Sequence, residues 1–329
     1  MKLLLVDGSA LLHRAYHAYP PLTTKTGEVV GAVYGVVSML ISALEAEQPS
    51  HIVVAWDLPK PTFRHEKYVG YKAQRPPADA EMVAQIPTVK ATIEAMGITQ
   101  LAVEGYEADD IIGTLATQTS QQFQAPHSNT QTNPDNQIQN EPQKEQVIIL
   151  TGDQDAMQLV GDTVRVLTPP KGKEPAKLYG PDEVWNKYGV HAEQIVDYKA
   201  LVGDTSDNIP GVAGIGPKTA AQLLKQFGTL ERVYRDIQEV QIHFGELVAH
   251  KLMNGKDSAF LSQELARIVT DMQLPLDPEE LVYQGLAQPS LRVALEELGF
   301  RSLIKRIWKE EQHERATKPK VDTNQMGLF

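Results

Sequence analysis

Three short apolar runs, each closed by aspartate, set the pattern of the chain. Residues 2–6 run into Asp7-Gly8-Ser9, residues 51–56 into Asp57, and residues 146–150 into Thr151-Gly152-Asp153-Gln154-Asp155. Continuous apolar runs of this length, bounded by turn residues, predict buried strands. Between them the period becomes helical. Residues 10–16 follow the first strand, 31–46 are apolar at helical spacing until Pro49-Ser50, and 80–95 follow Pro76-Pro77. Ile111-Ile112-Gly113-Thr114-Leu115-Ala116 opens a buried helix behind Gly105-Tyr106-Glu107-Ala108-Asp109-Asp110. Strands alternating with helices predict an α/β fold, a parallel sheet covered on both faces. Helix capping explains one strand-terminal acid such as Asp7, but not the recurrence of three. Open α/β sheets bind ligands beyond the carboxyl ends of their strands, and that edge would collect Asp7, Asp57, Asp153 and Asp155.

From residue 178 onward the pattern is mostly helical, with a break at Leu274-Pro275-Leu276-Asp277-Pro278. This predicts a core domain over 1–177, a helical domain over 178–309 and a polar, disordered tail over 310–329. Residues 117–145 are dominated by Gln, Asn, Thr, Ser and Pro and read as a disordered insertion. Residues 63–75 are basic and aromatic, with Lys72 and Arg75 three apart on one expected helical face. A solvated charged helix and a phosphate-contacting arm with stacking aromatics both fit that composition. Val202-Gly203-Asp204-Thr205-Ser206-Asp207-Asn208 adds an acid pair, followed by Gly211, Gly214, Gly216, Pro217, Lys218 and Thr219. Pro217 suits the first turn of a helix, and amides exposed at such a start bind phosphate. The expected element is a helix–hairpin–helix clamp on a DNA backbone, spanning about 204–226.

Composition narrows the chemistry. The chain has 329 residues, 42% hydrophobic, and no cysteine. Thiolate catalysis and Cys-ligated zinc are excluded, and a reducing compartment fits. The apolar start is too short for a signal peptide and no run approaches a membrane span, so a cytoplasmic, soluble, monomeric protein with no membrane contact is the expectation. The formal charge is −11. Nine of those charges belong to Asp7, Asp57, Glu107, Asp109, Asp110, Asp153, Asp155, Asp204 and Asp207, which leaves the remainder near neutral and does not exclude a nucleic-acid partner. Two carboxylates ~4 Å apart repel by about 4 kcal/mol at an effective dielectric near 20, so a cluster of that size needs cations. Oxygen ligands without cysteine select hard ions, Mg²⁺ or Mn²⁺. Two such ions predict phosphodiester hydrolysis.

The same motifs carry a resemblance. Asp7-Gly8-Ser9, the stretch 105–110, the stretch 151–155 and Gly203-Asp204-Thr205-Ser206-Asp207-Asn208-Ile209-Pro210-Gly211-Val212 resemble the 5′ nuclease family. This is the module at the N-terminus of bacterial DNA polymerase I, with phage 5′ nucleases and flap endonucleases among its relatives. The resemblance covers about residues 2–308. Trp56 departs from the usual phenylalanine, the 117–145 insertion is longer than usual, and no polymerase domain follows. It implies a PIN/resolvase-like core with a helical arch at about 62–96, and a 5′→3′ exonuclease and flap endonuclease acting on DNA with a 5′ flap, nick or free 5′ end, in primer removal and repair. It also implies that Asp7, Asp57, Glu107, Asp109 and Asp110 hold the more catalytic metal, and that Asp153, Asp155, Asp204 and Asp207 hold the second. Lys72, Arg75 and Arg14 would contact the scissile phosphate, Arg64 would bind DNA and Tyr71 would stack on a flipped base. The hairpin would take a monovalent cation as well as the downstream strand. Rival readings are a PIN-like ribonuclease and a non-enzymatic module for branched DNA; the long helical half and the complete set of acids oppose them.

The chain ends Gln325-Met326-Gly327-Leu328-Phe329. Apolar anchors on a polar tether suit capture by a partner's pocket. The peptide resembles the one with which bacterial repair proteins bind the sliding clamp, with Gln325, Leu328 and Phe329 as anchors.

Overall fold

The computed structural model describes residues 1–124, 145–172, 174–274 and 278–308. Six strands form one sheet: β1 (Lys2–Asp7), β2 (His51–Ala55), β3 (Thr99–Leu101), β4 (Gln146–Leu150), β5 (Val164–Thr168) and β6 (Lys177–Tyr179), in the order β3-β2-β1-β4-β5-β6. All pairings are parallel except β5 with β6. The predicted parallel sheet is present. Sequence reasoning did not resolve β3, whose three half-buried residues are too few for a period-2 signal.

Fifteen helices are present among the described residues. Around the sheet lie α1 (Gly8–Ala18), α2 (Gly31–Glu47), α3 (Phe63–Lys67), α4 (Ala80–Ala84), α5 (Ile86–Ala95) and α6 (Ala108–Gln124). The helical half adds α7 (Pro181–Tyr188), α8 (Ile195–Val202), α9 (Pro217–Phe227), α10 (Leu230–Arg235), α11 (Ile237–Phe244), α12 (Glu246–Asn254), α13 (Lys256–Ala266), α14 (Pro289–Glu297) and α15 (Arg301–Trp308). Alternate strand residues face two layers, as the period of a strand requires. Leu3, Leu5, Val53, Ala55, Val147 and Ile149 pack with α6 and the helical half. Leu4, Val6, Ile52, Val54, Ile148 and Leu150 pack with α1, α2 and α5, with Leu291 and Leu295 of α14, with Ile304 of α15, and with Phe300 between those two helices. The last two helices thus return to the far face of the sheet.

Two expected boundaries shift. The helix read over 80–95 is broken at Gln85, which is buried and accepts from the Ala32 amide at 2.9 Å. Helix α6 runs eight residues into the expected insertion, because Phe123 packs on the core, Gln118 donates to the Met272 carbonyl and Ser120 bonds Thr163. The rest of that insertion and the tail with its clamp peptide lie outside the described residues. No helix among the described residues is long and apolar enough to cross a membrane.

Candidate nuclease site

Strand order reverses around β1, so the crevice of the sheet lies at the carboxyl ends of β1, β2 and β4. Parallel register puts Asp7 opposite Ala55 and Val6 opposite Leu150, which brings Asp7, Asp57 and Asp153 to one edge. Gly8 makes this edge tight: a Cβ there would meet the Trp56 ring and Val54 at 2.8 Å. Asp7 fills the capping role considered for it while standing at this edge. Oδ1 caps α1 by accepting from the Ala10 amide at 2.8 Å, and Oδ2 accepts from the Thr151 hydroxyl at 2.8 Å. Asp57 accepts from the Ala108 amide at 2.8 Å, which sets the first turn of α6 against the edge. Asp109 on that turn faces Asp153, Asp7 and Asp57, and its buried Oδ1 has no partner.

The electrostatics mark Asp7, Asp109 and Asp153. Burial, then the charge of Asp57, pushes Asp7 up to about 7 against the pull of the Ala10 amide. Burial, then Asp153, Asp7 and Asp57, pushes Asp109 well above the usual carboxylate range. Burial also raises Asp153, with Lys199 opposing. Like charges in low dielectric suppress each other's ionisation in this way. Among the described residues no three acids already close around one point as a finished metal cage. The orphaned Asp109 oxygen and the raised carboxyls nevertheless fit a hard divalent cation: an oxygen-only donor set short of positive charge.

The other five acids are neutralised by basic side chains. Lys72 Nζ lies 2.9 Å from Glu107 Oε1 and 3.9 Å from Asp207 Oδ2, and Arg75 Nη2 lies 2.5 Å from Asp207 Oδ1. Lys199, only 8% exposed, bridges Asp155 and Asp204, with 2.7 Å to Asp204 Oδ2. Burial would raise Asp204, but Lys199 and the Ser206 donors hold it down at about 2. Lys199 escaped sequence reasoning because it looks like any basic residue on a helix; its spacing of five from Asp204, around one helix end, was the available signal. Asp110, expected to hold a metal, has both its oxygens occupied by Arg64 and two backbone amides.

Three more expected site residues are placed as follows. Arg64, expected to bind DNA, is 3% exposed and forks onto Asp110. Tyr71 does not present its ring for stacking, being 3% exposed with its hydroxyl donating to Glu107 at 3.0 Å and Asp207 at 3.1 Å. Arg14 donates to the Pro170 carbonyl, and no contact joins it to the described acids. Lys72 and Arg75 do share one side, but through a turn, because the helix stops at Lys67. That turn docks on the acid loop: the Lys72 amide donates to the Asp207 carbonyl at 2.9 Å and Asn208 Nδ2 to the Gly70 carbonyl at 2.6 Å. Lys72 and Asn208 both adopt left-handed backbone there, at φ 54° and 56°, a conformation uncommon for residues other than glycine.

The expected hairpin lies between α8 and α9. Gly211 must be glycine, since at φ 63° a Cβ would meet the Gly203 nitrogen at 2.3 Å. Gly214, at φ 81°, packs on Lys251, whose Nζ donates to its carbonyl at 3.1 Å. Gly216 caps α9, Pro217 is its first residue, and Lys218 is exposed beside that helix start with Thr219 half-buried.

Comparison with known proteins follows the same division. Residues 2–128 match the family model described as "5'-3' exonuclease, N-terminal resolvase-like domain", and residues 190–289 match "5'-3' exonuclease, C-terminal SAM fold". The chain belongs to the 5′-3′ exonuclease family. It is similar to DNA polymerase I of Bacillus subtilis, 39% identical over 306 residues, covering 93% of this chain and 32% of that protein. Thermostable DNA polymerase I of Thermus thermophilus is 39% identical over 305 residues, covering 92% and 33%. The chain therefore spans about a third of the length of these polymerases. Among solved structures, bacteriophage T5 5′-exonuclease with bound zinc aligns at TM-score 0.61 and 21% identity, covering 91% of this chain and all of that one. The catalytic core of Rad2 in complex with DNA substrate aligns at TM-score 0.58 and 16% identity, covering 94% and 92%. At these identities the two structures support the exonuclease fold and nothing finer.

Proposed function

We propose that this 5′-3′ exonuclease is a structure-specific nuclease that hydrolyses phosphodiesters near the 5′ end of DNA, as exonuclease and flap endonuclease. The observation that carries the reading is the unpaired Asp109 oxygen among Asp7, Asp57 and Asp153 at the crevice of the sheet, beneath an arm bearing Lys72 and Arg75. Asp7, Asp57, Asp109 and Asp153 would hold one divalent ion with Glu107. Asp155, Asp204 and Asp207 would hold a second once Lys199 and Arg75 give them up. Mg²⁺ or Mn²⁺ there supplies the charge that activates a water and stabilises the leaving oxygen. Lys72 and Arg75, released from Glu107 and Asp207, turn toward the scissile phosphate. The amides at the start of α9, with Lys218, Thr219 and the loop of Gly211, Gly214 and Gly216, hold the phosphates of the duplex, with or without a monovalent cation.

The test is a labelled 5′-flap DNA with Mg²⁺ and then with EDTA. Cleavage at the flap base that EDTA abolishes is expected. Specific binding without cleavage under any divalent ion would leave a branched-DNA binding module, and a preference for RNA loops would favour a ribonuclease. In the same reading the C-terminal Gln325, Leu328 and Phe329 bind a sliding clamp at about micromolar strength, a few anchors offset by the ordering of the tail. Deletion of residues 325–329 should remove clamp binding in an anisotropy titration and leave clamp-free cleavage unchanged.

A further inference from the structure

Arg64 and Asp110 stand apart from the other acids and bases of the site. Asp110 is 0% exposed, and its two oxygens receive four donors. Arg64 Nη1 and Nη2 lie at 2.8 Å each, the Glu107 amide at 3.1 Å and the Val269 amide at 2.9 Å. A carboxylate has about four lone-pair sites, so none is left for an ion. Arg64 is equally committed: Nε donates to the Leu265 carbonyl at 3.0 Å, Nη2 also to the Arg267 carbonyl at 2.8 Å, and Nη1 also to Glu107 Oε2 at 3.4 Å.

The pair joins three segments distant in sequence: α3 at the base of the arm, the first turn of α6, and the strap 265–269 leaving α13. Strap and helix touch at the backbone, since a Cβ on Gly113 would meet Ile268 Cγ2 at 2.4 Å and the Val269 carbonyl at 3.0 Å. The fork thus fixes the Glu107 carboxylate and amide on one side and, through the same helical turn, Asp109 facing Asp153, Asp7 and Asp57.

We propose that Arg64 and Asp110 form a positioning pair, which binds neither metal nor DNA and holds Glu107, Asp109 and the base of the arm in a geometry ready for divalent ions. Its effect on ion uptake rests on the two-metal reading above; its geometry does not. Outer partners of this kind are worth about 10-fold to 100-fold in metal affinity.

The experiment is calorimetric titration of the full chain with Mn²⁺, alongside urea unfolding in EDTA, for wild type, R64Q, D110N, the double variant R64Q/D110N and D109N. D109N is expected to lose an ion outright. R64Q and D110N are each expected to weaken Mn²⁺ by about 10-fold, and the double variant no further than either alone, because both remove one fork. Loss of an ion in D110N with wild-type affinity in R64Q would make Asp110 a ligand and overturn the proposal. Lower urea midpoints with unchanged isotherms would make the fork a stability element only, which also overturns it. Should the single variants not fold, R64M/D110L restores an apolar, well-packed pair; it is expected to fold with weakened Mn²⁺ binding, and wild-type affinity there overturns the proposal. A wild-type chain that takes up no Mn²⁺ would instead overturn the two-metal reading itself.

Discussion

Replacing Lys199 by methionine isolates one internal counterion. Methionine keeps most of the stem volume while removing the charge between Asp155 and Asp204. The side chains of Lys199, Asp155 and Asp204 are 10%, 15% and 15% exposed, so the cost should follow buried pairs, about 3–5 kcal/mol when one partner is lost, rather than the ~1 kcal/mol of surface pairs. The titration of Asp204 gives an independent figure. A carboxyl held at about 2 instead of 3.8 contributes at most about 2.5 kcal/mol at neutral pH, shared between Lys199 and the Ser206 donors and reduced by solvent screening. The sign is that of a depressed acid: the contribution is present above the unfolded value and lost as pH falls through the folded one. About half of it should remain at pH 3. In EDTA at pH 7, urea unfolding should therefore show Lys199→Met less stable by roughly 3 kcal/mol, with the gap to wild type narrowing toward pH 3. Equal midpoints at pH 7, or a gap that does not change with pH, would refute the counterion argument.

Other perturbations separate the groups that face DNA. Lys72→Ala should slow the single-turnover rate of flap cleavage by about 100-fold while changing flap affinity much less; an unchanged rate would leave Lys72 only its ion pair with Glu107. Lys218→Ala, exposed at the start of α9, should weaken all duplex substrates alike and lower the salt slope of binding by about one, which a filter-binding series in KCl would check.

The legible parts of this chain were those whose signal is local. Each of β1, β2 and β4 is a short apolar run with aspartate at or just past its end, so both the sheet and its acidic edge follow from adjacent residues. The hairpin was legible because glycine and proline mark backbone geometry at the position where they stand. What was not legible depends on contacts far apart in sequence. Arg64 reads as part of a basic arm, yet it pairs 46 residues away with Asp110 and bonds carbonyls 201 and 203 residues away. Tyr71 reads as a stacking aromatic, but its hydroxyl is drawn inward by Glu107 and Asp207. Composition gives the charge of a side chain but not its partner. Helix α6 outran its apolar pattern for the same reason, since its last turns are held by Met272 and Thr163.

The division of the acids into paired and unpaired sets leads to a last prediction, on Asp109. Five acids have basic partners within the chain, whereas Asp7, Asp57, Asp109 and Asp153 crowd one edge, where burial raises Asp7, Asp109 and Asp153 and the neighbouring edge acids add to the rise of Asp7 and Asp109. Such an arrangement is unfavourable to the empty fold and favourable to a cation, as expected where a site is preorganised for function. Asp109→Asn removes the acid whose Oδ1 is buried without a partner and relieves the three acids facing it. In EDTA the variant should be more stable than wild type by about 1 kcal/mol, the scale of one partly screened charge pair. Mg²⁺ should raise the wild-type melting temperature, because an ion that binds only the folded state stabilises it by mass action, about 2.7 kcal/mol at a hundred times its dissociation constant. The variant should lose most of that gain together with cleavage, so the stability order of the two proteins should invert between EDTA and Mg²⁺. A variant less stable than wild type in EDTA, or one that keeps the full Mg²⁺ shift, would show that Asp109 is an ordinary buried acid and that the ion-holding edge lies elsewhere.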